Sequence, residues 1–113
     1  MTTHTYPSPD ASAQLVDAFK ALANPVRLQV LQWLRDPERN FPAEAMIPAP
    51  HEVGVCVSHI QAKTGLAQST VSAYMAVLQR AGLVRSTRVG KWTYYRRNEE
   101  RIAQLVDVLG HSL

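Results

Sequence analysis

The sequence has few of the features that mark secreted or membrane proteins. Its 113 residues include one cysteine, Cys56, so no disulfide can form within the chain. A single thiol is typical of a reducing compartment, and we expect a cytoplasmic protein. There is no run of 18 apolar residues, so we expect no membrane span. Residues 1–10 have no basic segment followed by an apolar one, so we expect no signal peptide.

Acidic residues are missing from a long central part of the chain. Val53–Asn98 spans 46 residues without an Asp or Glu, and all nine acids lie outside it. The stretch contains seven bases: Lys63, Arg80, Arg85, Arg88, Lys91, Arg96 and Arg97. A one-sided positive charge attracts phosphate, which favours a nucleic-acid partner. The alternative is a solvated basic face without a partner.

Residue patterns typical of catalysis are also missing. We find no nucleophile–base pair, no paired carboxylates in a cleft-like setting and no phosphate-binding glycine loop. We therefore expect neither enzymatic activity nor a cofactor. The apolar content of 46% and the chain length indicate one globular domain. We place it at residues 11–113, after a disordered lead of residues 1–10.

Hydrophobic spacing predicts five helices within that domain. Asn24 and Asn98 are the expected N-caps of the second and the last, and Gly65 is the expected stop of the third. The five predicted ranges are 11–23, Pro25 to about Asp36, about Gly54–Thr64, Gln68–Ala81 and Glu99–Leu109.

Residues 36–54, which contain four prolines, are predicted to form a long loop with a short turn near Ala43–Met46. We interpret this loop as part of an effector pocket or a partner contact, with a tolerated insertion as the alternative.

Two segments rich in Val, Thr and aromatic residues predict a β-hairpin. Leu83–Val89 and Trp92–Arg97 flank the dipeptide Gly90-Lys91, a two-residue connection that favours a type II′ turn. The hairpin carries five of the basic residues, and a basic ribbon can track a phosphate backbone or enter a minor groove. The alternative is that the charges protect an edge strand from aggregation. We expect Tyr94 to pack against the body of the domain.

The third and fourth predicted helices are joined by a tight turn at Gly65, which is the arrangement of a helix-turn-helix. The second helix of such a unit enters the major groove. Its start carries the short polar side chains Gln68, Ser69, Thr70 and Ser72. Short amides and hydroxyls let a helix approach base edges and read their donors and acceptors. The alternative is that these residues only cap the helix.

Four segments, taken in this order, resemble the ArsR family of arsenical-resistance-type repressors. They are FKALANPVRLQVL from Phe19, TGLAQSTVS from Thr64, VLQRAGLV from Val77 and GKWTYY from Gly90. The resemblance covers residues 12–109 and implies a winged helix-turn-helix, mainly α with a small β-hairpin, in the order α-α-α-α-β-β-α. It also implies a homodimer formed by the first and last helices, a palindromic DNA operator, and release when a small-molecule inducer binds.

Residue by residue, Gln68, Ser69, Thr70 and Ser72 match the recognition helix of that family, and Arg88 and Lys91 match its wing. We add Tyr74, Arg85 and Arg96 to the predicted DNA-binding set. Where the family often has His-Leu, this chain has Tyr74-Met75. The predicted dimer interface consists of Leu15, Phe19, Leu22, Ile102, Leu105, Val106 and Leu109.

The family's metal motif is incomplete in this chain. Metal-sensing members have a pattern like Cys-Val-Cys, whereas this chain has Cys56-Val-Ser58. The last helix offers only Asp107 and His111 in place of a zinc-binding cluster. We therefore predict no metal site, because one thiolate is a poor site even with His51 or His59 nearby. We interpret Cys56 as a small apolar filler, with a thiol redox sensor and a metal ligand as the alternatives.

These observations predict a DNA-binding transcriptional repressor that is a homodimer on double-stranded DNA. One alternative is a thiol- or metal-responsive repressor that senses through Cys56. Another is a winged-helix module for protein–protein contact, which predicts an uncharged or acidic wing and an apolar recognition face.

Overall fold

Six helices and three short strands form the part of the chain that the computed structural model describes, residues 9–46 and 52–113. In chain order they are α1 (Pro9–Leu22), α2 (Pro25–Arg35), α3 (Pro37–Asn40), β1 (Val55–Cys56), α4 (Val57–Thr64), α5 (Gln68–Arg80), β2 (Val84–Val89), β3 (Trp92–Arg97) and α6 (Glu99–Ser112). A 3-10 turn at Ala43–Ala45 follows α3. None of the described helices is long and apolar enough to cross a membrane.

The helix boundaries follow from local capping chemistry. The Asn24 Oδ1 accepts hydrogen bonds from the backbone N–H groups of Val26 and Arg27, at 2.9 and 3.0 Å, and so begins α2. The Asn98 Oδ1 accepts from the Arg101 N–H at 3.2 Å and begins α6. Gly65 ends α4 with a φ of 71°, a left-handed conformation that glycine adopts without strain. These three predicted caps are confirmed.

The three strands form one antiparallel sheet in the order β1-β3-β2. The β2–β3 hairpin pairs Val84 with Arg97 at its base and Val89 with Trp92 at its tip. At the turn, Gly90 has a φ of 61°, and no described non-glycine residue has a positive φ. A positive φ at the first turn position only is the combination expected of a type II′ turn. The mainly helical winged helix-turn-helix with a small hairpin is confirmed.

The third helix was predicted to begin near Gly54, and that boundary is wrong. Val55 and Cys56 form β1, which pairs with Tyr95 and Tyr94 of β3, and the helix begins at Val57. The apolar spacing around Cys56 resembled a helix face, but the hydrogen-bond partners of this segment lie on β3. The sheet therefore has one more strand than the sequence predicted.

The predicted lead and long loop also differ from the structure where it describes them. Pro9 and Asp10 are the first residues of α1, while residues 1–8 lie outside the described part. Residues 36–46 contain α3 and the 3-10 turn, and residues 47–51 lie outside the described part. The Asn40 Nδ2 donates to the carbonyls of Trp33 and Asp36 at 3.2 and 2.9 Å, and Phe41 packs edge-on against Trp33. These contacts order the segment against α2.

The core lies where α2, α4, α5 and the sheet meet. Its largest fully buried side chains are Val30, Val55, Ile60, Val71, Met75 and Leu78. Val71, Met75 and Leu78 recur at helical spacing along α5, so one face of this helix is held against the domain. The opposite face of α5 is left to solvent.

Candidate nucleic-acid interface and dimer surface

The turn between α4 and α5 is fixed by hydrogen bonds around Gly65. The Thr64 hydroxyl donates to the Gln61 carbonyl at 2.9 Å and accepts from the Leu66 N–H at 3.2 Å. The Gly65 N–H also donates to the Gln61 carbonyl at 3.0 Å. These hydrogen bonds fix the backbone from the last turn of α4 to Leu66, two residues before α5 begins.

The first turn of α5 presents polar side chains to solvent. Gln68, Ser69 and Ser72 are exposed and Thr70 is half-buried. The N-cap residue is Ala67, and the start of α5 has no side-chain cap, so the predicted alternative of a capping segment does not describe these residues. The first N–H groups of the helix therefore stay available to an anion. No acidic residue lies in this first turn.

Tyr74 lies one helical turn further along α5 and is half-buried. Its ring packs against the Arg27 guanidinium, whose Cζ lies 5.3 Å from the ring centre. The structure therefore places Tyr74 between the exposed start of α5 and the body of the domain, in contact with α2.

The tip of the hairpin is basic. Arg88 and Lys91 are exposed, and the Arg88 Nε donates to the Gly90 carbonyl at 3.2 Å. The Lys91 Nζ lies 5.3 Å from the centre of the Trp92 ring, which is 46% exposed. Tyr94 is 7% exposed, so its predicted packing against the body is confirmed. The hairpin is also hydrogen-bonded to α5, since the Gln79 Nε2 donates to the Ser86 Oγ at 3.0 Å.

Arg85 and Arg96 lie at the other end of the hairpin. They are cross-strand partners near its base, so the structure does not bring them together with Arg88 and Lys91. Arg85 and Arg88 are three positions apart along β2, which corresponds to about 10 Å. The sequence alone could have indicated that Arg85 and Arg96 are partners near the hairpin base, because the cross-strand pairs follow from the two-residue turn at Gly90-Lys91.

An apolar groove of about 130 Å³ runs between α1 and α6. All seven residues predicted for the dimer interface line it, together with Ala18, Leu31 and Leu83. Two of the seven remain largely open to solvent: Phe19 is 47% exposed and Val106 is 63% exposed. Apolar side chains gathered along two neighbouring helices are the composition of a protein–protein contact.

Cys56 is 6% exposed, and its Sγ lies 3.2 Å from the Ser58 Oγ. His59 is half-buried on α4, and His51 lies outside the described residues. On α6 the His111 Nδ1 lies 3.4 Å from the Asp107 Oδ1, in an exposed pair. Within residues 9–46 and 52–113, no three His, Cys, Asp or Glu side chains are grouped to hold a metal ion.

The order α4, turn, α5 and β-hairpin defines a winged helix-turn-helix. The sequence model of the IclR helix-turn-helix domain matches residues 49–88. The uncharacterized HTH-type transcriptional regulator YbzH of Bacillus subtilis is 49% identical over 100 residues, 83% of this chain and 93% of its own length. A probable mercury resistance operon repressor of Streptomyces lividans is 35% identical over 87% of this chain and 63% of its own length.

A solved structure gives the same assignment. It is the homodimeric winged helix-turn-helix DNA-binding domain of Mb0332 from Mycobacterium bovis, a possible ArsR-family transcriptional regulator. It is similar with a TM-score of 0.64 and 28% identity, over 97% of this chain and 87% of that chain. This chain belongs to the ArsR-like winged helix-turn-helix transcriptional regulators.

Proposed function

We propose that this protein is a transcriptional repressor that binds a palindromic DNA operator as a homodimer and leaves it when an inducer binds. The observation that carries the proposal is the start of α5, where Gln68, Ser69 and Ser72 are exposed and no side chain caps the helix. Polar side chains at the exposed, uncapped start of a helix that packs against the domain can read base edges in the major groove.

The rigid mounting of α5 supports this role. Its apolar face is buried through Val71, Met75 and Leu78, so the polar face cannot rotate away from DNA. A reading helix needs this fixed register, because a bidentate contact to a base tolerates little displacement.

The hairpin tip supplies the sequence-independent part of the binding. Lys91 and Arg88 are exposed there, in the acid-free part of the chain. Cations of this kind bind phosphate and release counterions, so they raise affinity for every sequence and make it dependent on salt. Their charge also argues against the protein-contact module, for which an uncharged or acidic wing is expected.

The groove between α1 and α6 supports a homodimer. A second copy that covers Phe19 and Val106 would remove the two largest exposed apolar side chains of this groove from water. The solved relative Mb0332 is itself homodimeric. A symmetric dimer places two recognition helices about 34 Å apart, one DNA turn, which explains why the operator should be palindromic.

Repression is proposed from the similarity to the probable mercury resistance operon repressor of Streptomyces lividans. The experiment that tests the whole proposal is fluorescence anisotropy with DNA from immediately upstream of the protein's own gene. A scrambled duplex of the same base composition is the control, and both are titrated across a salt series. Parallel titrations with zinc and with a thiol oxidant test sensing by Cys56.

We expect the upstream duplex to bind at least a hundred times more tightly than the scrambled duplex, at two protomers per site. We expect affinity to fall steeply with salt for both duplexes. Equal affinity for both duplexes would overturn the proposal and favour the protein-contact module. Selective binding that zinc or oxidant abolishes would identify the thiol- or metal-responsive alternative.

A further inference from the structure

A cavity of about 280 Å³ lies at the base of the hairpin, between the end of α2, the start of α3 and the start of α6. Its volume is close to the lower end of the range for pockets that hold small molecules. Six charged side chains line it and give it a net charge of +2: Arg35, Arg85, Arg96, Arg97, Glu99 and Glu100. We call this the base cavity.

The base cavity has more hydrogen-bond donors than acceptors. The Arg97 Nη2 donates to the Glu99 Oε1 at 2.9 Å. Arg35 and Arg96 form no ion pair with an acid of the described residues. The Nε atoms of Arg96 and Arg97 are covered from solvent without an acceptor. Buried donors are nearly always paired in folded proteins, so these two unpaired Nε groups leave the base of the hairpin short of acceptors.

We propose that the base cavity binds a small organic anion, a carboxylate or a phosphate ester, and that this anion is the inducer. The role of the anion as an inducer rests on the proposed function, whereas the binding of the anion does not. Guanidinium groups bind planar and tetrahedral oxyanions through paired N–H donors, and four arginines line this cavity. Carboxylate and phosphate share this chemistry.

The position of the base cavity separates it from the proposed DNA surface. Arg85 is five positions from Gly90 of the turn, a distance of about 16 Å along the strand. At the rim, Glu100 is 76% exposed in its side chain, and its Oε2 lies 3.9 Å from the Arg85 Nη2. The base cavity therefore lies away from the hairpin tip and has an exposed acid beside it, which repels phosphate.

The start of α6 connects the base cavity to the groove between α1 and α6. Glu99 and Glu100 are the first residues of α6 and line the cavity. About one and two turns later, Ile102 and Leu105 of the same helix line the groove. An anion that replaces Glu99 on Arg97 changes the position of the first turn of α6. The dimer arrangement then changes with it, provided the anion binds the two arrangements with different affinity.

The test is isothermal titration calorimetry of the purified protein at constant ionic strength, with inorganic phosphate and with succinate as probes. Succinamide, the uncharged diamide of succinate, is the ligand control. Arg35→Gln and Arg97→Gln each remove one guanidinium from the cavity. Arg39→Gln is the matched control, since Arg39 is exposed on α3, outside the cavity, with Asp36 as its partner at 3.9 Å.

We expect saturable binding of at least one anionic probe, at one site per protomer, and none of succinamide. Arg35→Gln and Arg97→Gln should weaken it at least tenfold, and Arg39→Gln less than twofold. Preference for phosphate would indicate a phosphorylated inducer, and preference for succinate a carboxylate one. The base cavity would be excluded as an anion site by no saturable binding of either anion, or by equal losses in all three variants.

Anisotropy with the upstream duplex tests the regulatory part. Without anion, Arg35→Gln should bind DNA within twofold of the unmodified protein. A saturating probe should weaken DNA binding at least tenfold in the unmodified protein and not in Arg35→Gln. A loss in Arg35→Gln as large as in Lys91→Gln, with a lower salt dependence, would assign Arg35 to DNA phosphate and overturn the inducer site. If the protein binds the anion but shows no DNA selectivity, the base cavity is still an anion site and the proposed function is rejected.

Discussion

The Arg27 guanidinium lies 5.3 Å from the centre of the Tyr74 ring, and so connects α2 to α5. The same guanidinium donates to the carbonyls of Ala21 and Lys20, at 2.7 and 3.2 Å, at the end of α1. One side chain therefore joins three helices, including the proposed recognition helix and the helix of the proposed dimer interface.

Arg27→Gln should destabilise the fold by about 1.5–3 kcal/mol, because it removes charged hydrogen bonds to two carbonyls and the contact with Tyr74. Urea unfolding followed by circular dichroism measures this change. Arg80→Gln, an exposed substitution near the end of α5, is the control and should change stability by less than about 0.5 kcal/mol. Equal stability of the two variants would mean that Arg27 does not hold the three helices together.

Gly54→Ala should be strongly destabilising. Gly54 has a φ of 99°, and a Cβ there would overlap the Tyr95 carbonyl on β3. We expect a loss of more than about 3 kcal/mol, since strain and a steric clash act together. Gly65→Ala is the matched control, because Gly65 also has a positive φ but open space around its Cβ position. Its cost should be about 1–2 kcal/mol, and similar losses in both variants would contradict the close approach at Gly54.

Gln68→Ala and Lys91→Gln should affect DNA binding differently. Loss of Gln68 should cost about 1–3 kcal/mol on the preferred duplex and little on a scrambled one, because base contacts carry the sequence preference. Loss of Lys91 should weaken both duplexes to the same extent and lower the salt dependence by about one charge. Competition titrations at several salt concentrations separate the two effects. An unchanged sequence preference in Gln68→Ala would show that another surface reads the bases.

Val106→Asp should prevent dimer formation. Val106 is 63% exposed in the groove between α1 and α6, and a carboxylate placed in an apolar interface would lose its hydration. Sedimentation velocity should show monomers, and circular dichroism should show unchanged helix content. Val89→Asp introduces the same charge at an exposed apolar residue on the hairpin and should remain dimeric. A dimeric Val106→Asp protein would move the interface away from this groove.

Stability should fall as the pH rises above about 10, in part because of Tyr95. Burial raises the pKa of the Tyr95 hydroxyl above its ordinary value of 10.0. An unfolded chain therefore loses this proton first, so the stabilising contribution is complete below about pH 10 and is lost as the pH rises through the higher pKa of the folded state. Urea unfolding at several pH values should show a shallower decline in Tyr95→Phe. Parallel declines in both proteins would contradict this contribution.

Features that depend on a few neighbouring residues could be predicted from the sequence. The cap at Asn24 and the helix end at Gly65 are settled within three or four positions along the chain. The same holds for the hairpin at Gly90-Lys91, where only two residues connect the strands. The apolar spacing of Val71, Met75 and Leu78 likewise predicted which face of α5 is buried. Because the polar start of α5 is the complement of that face, the proposed reading surface could be located without a structure.

Features that depend on distant parts of the chain could not be predicted in this way. Val55 and Cys56 form a strand because β3 supplies their hydrogen-bond partners, and nothing in their own neighbourhood distinguishes that state from a helix. The base cavity likewise brings Arg35 of α2 to Arg97 of β3, which are far apart in the sequence. The sequence by itself determined local conformation and the burial pattern of each helix. The tertiary structure alone decided which charged side chains meet, because packing brings distant segments together. The residue spacing within each segment does not indicate those contacts.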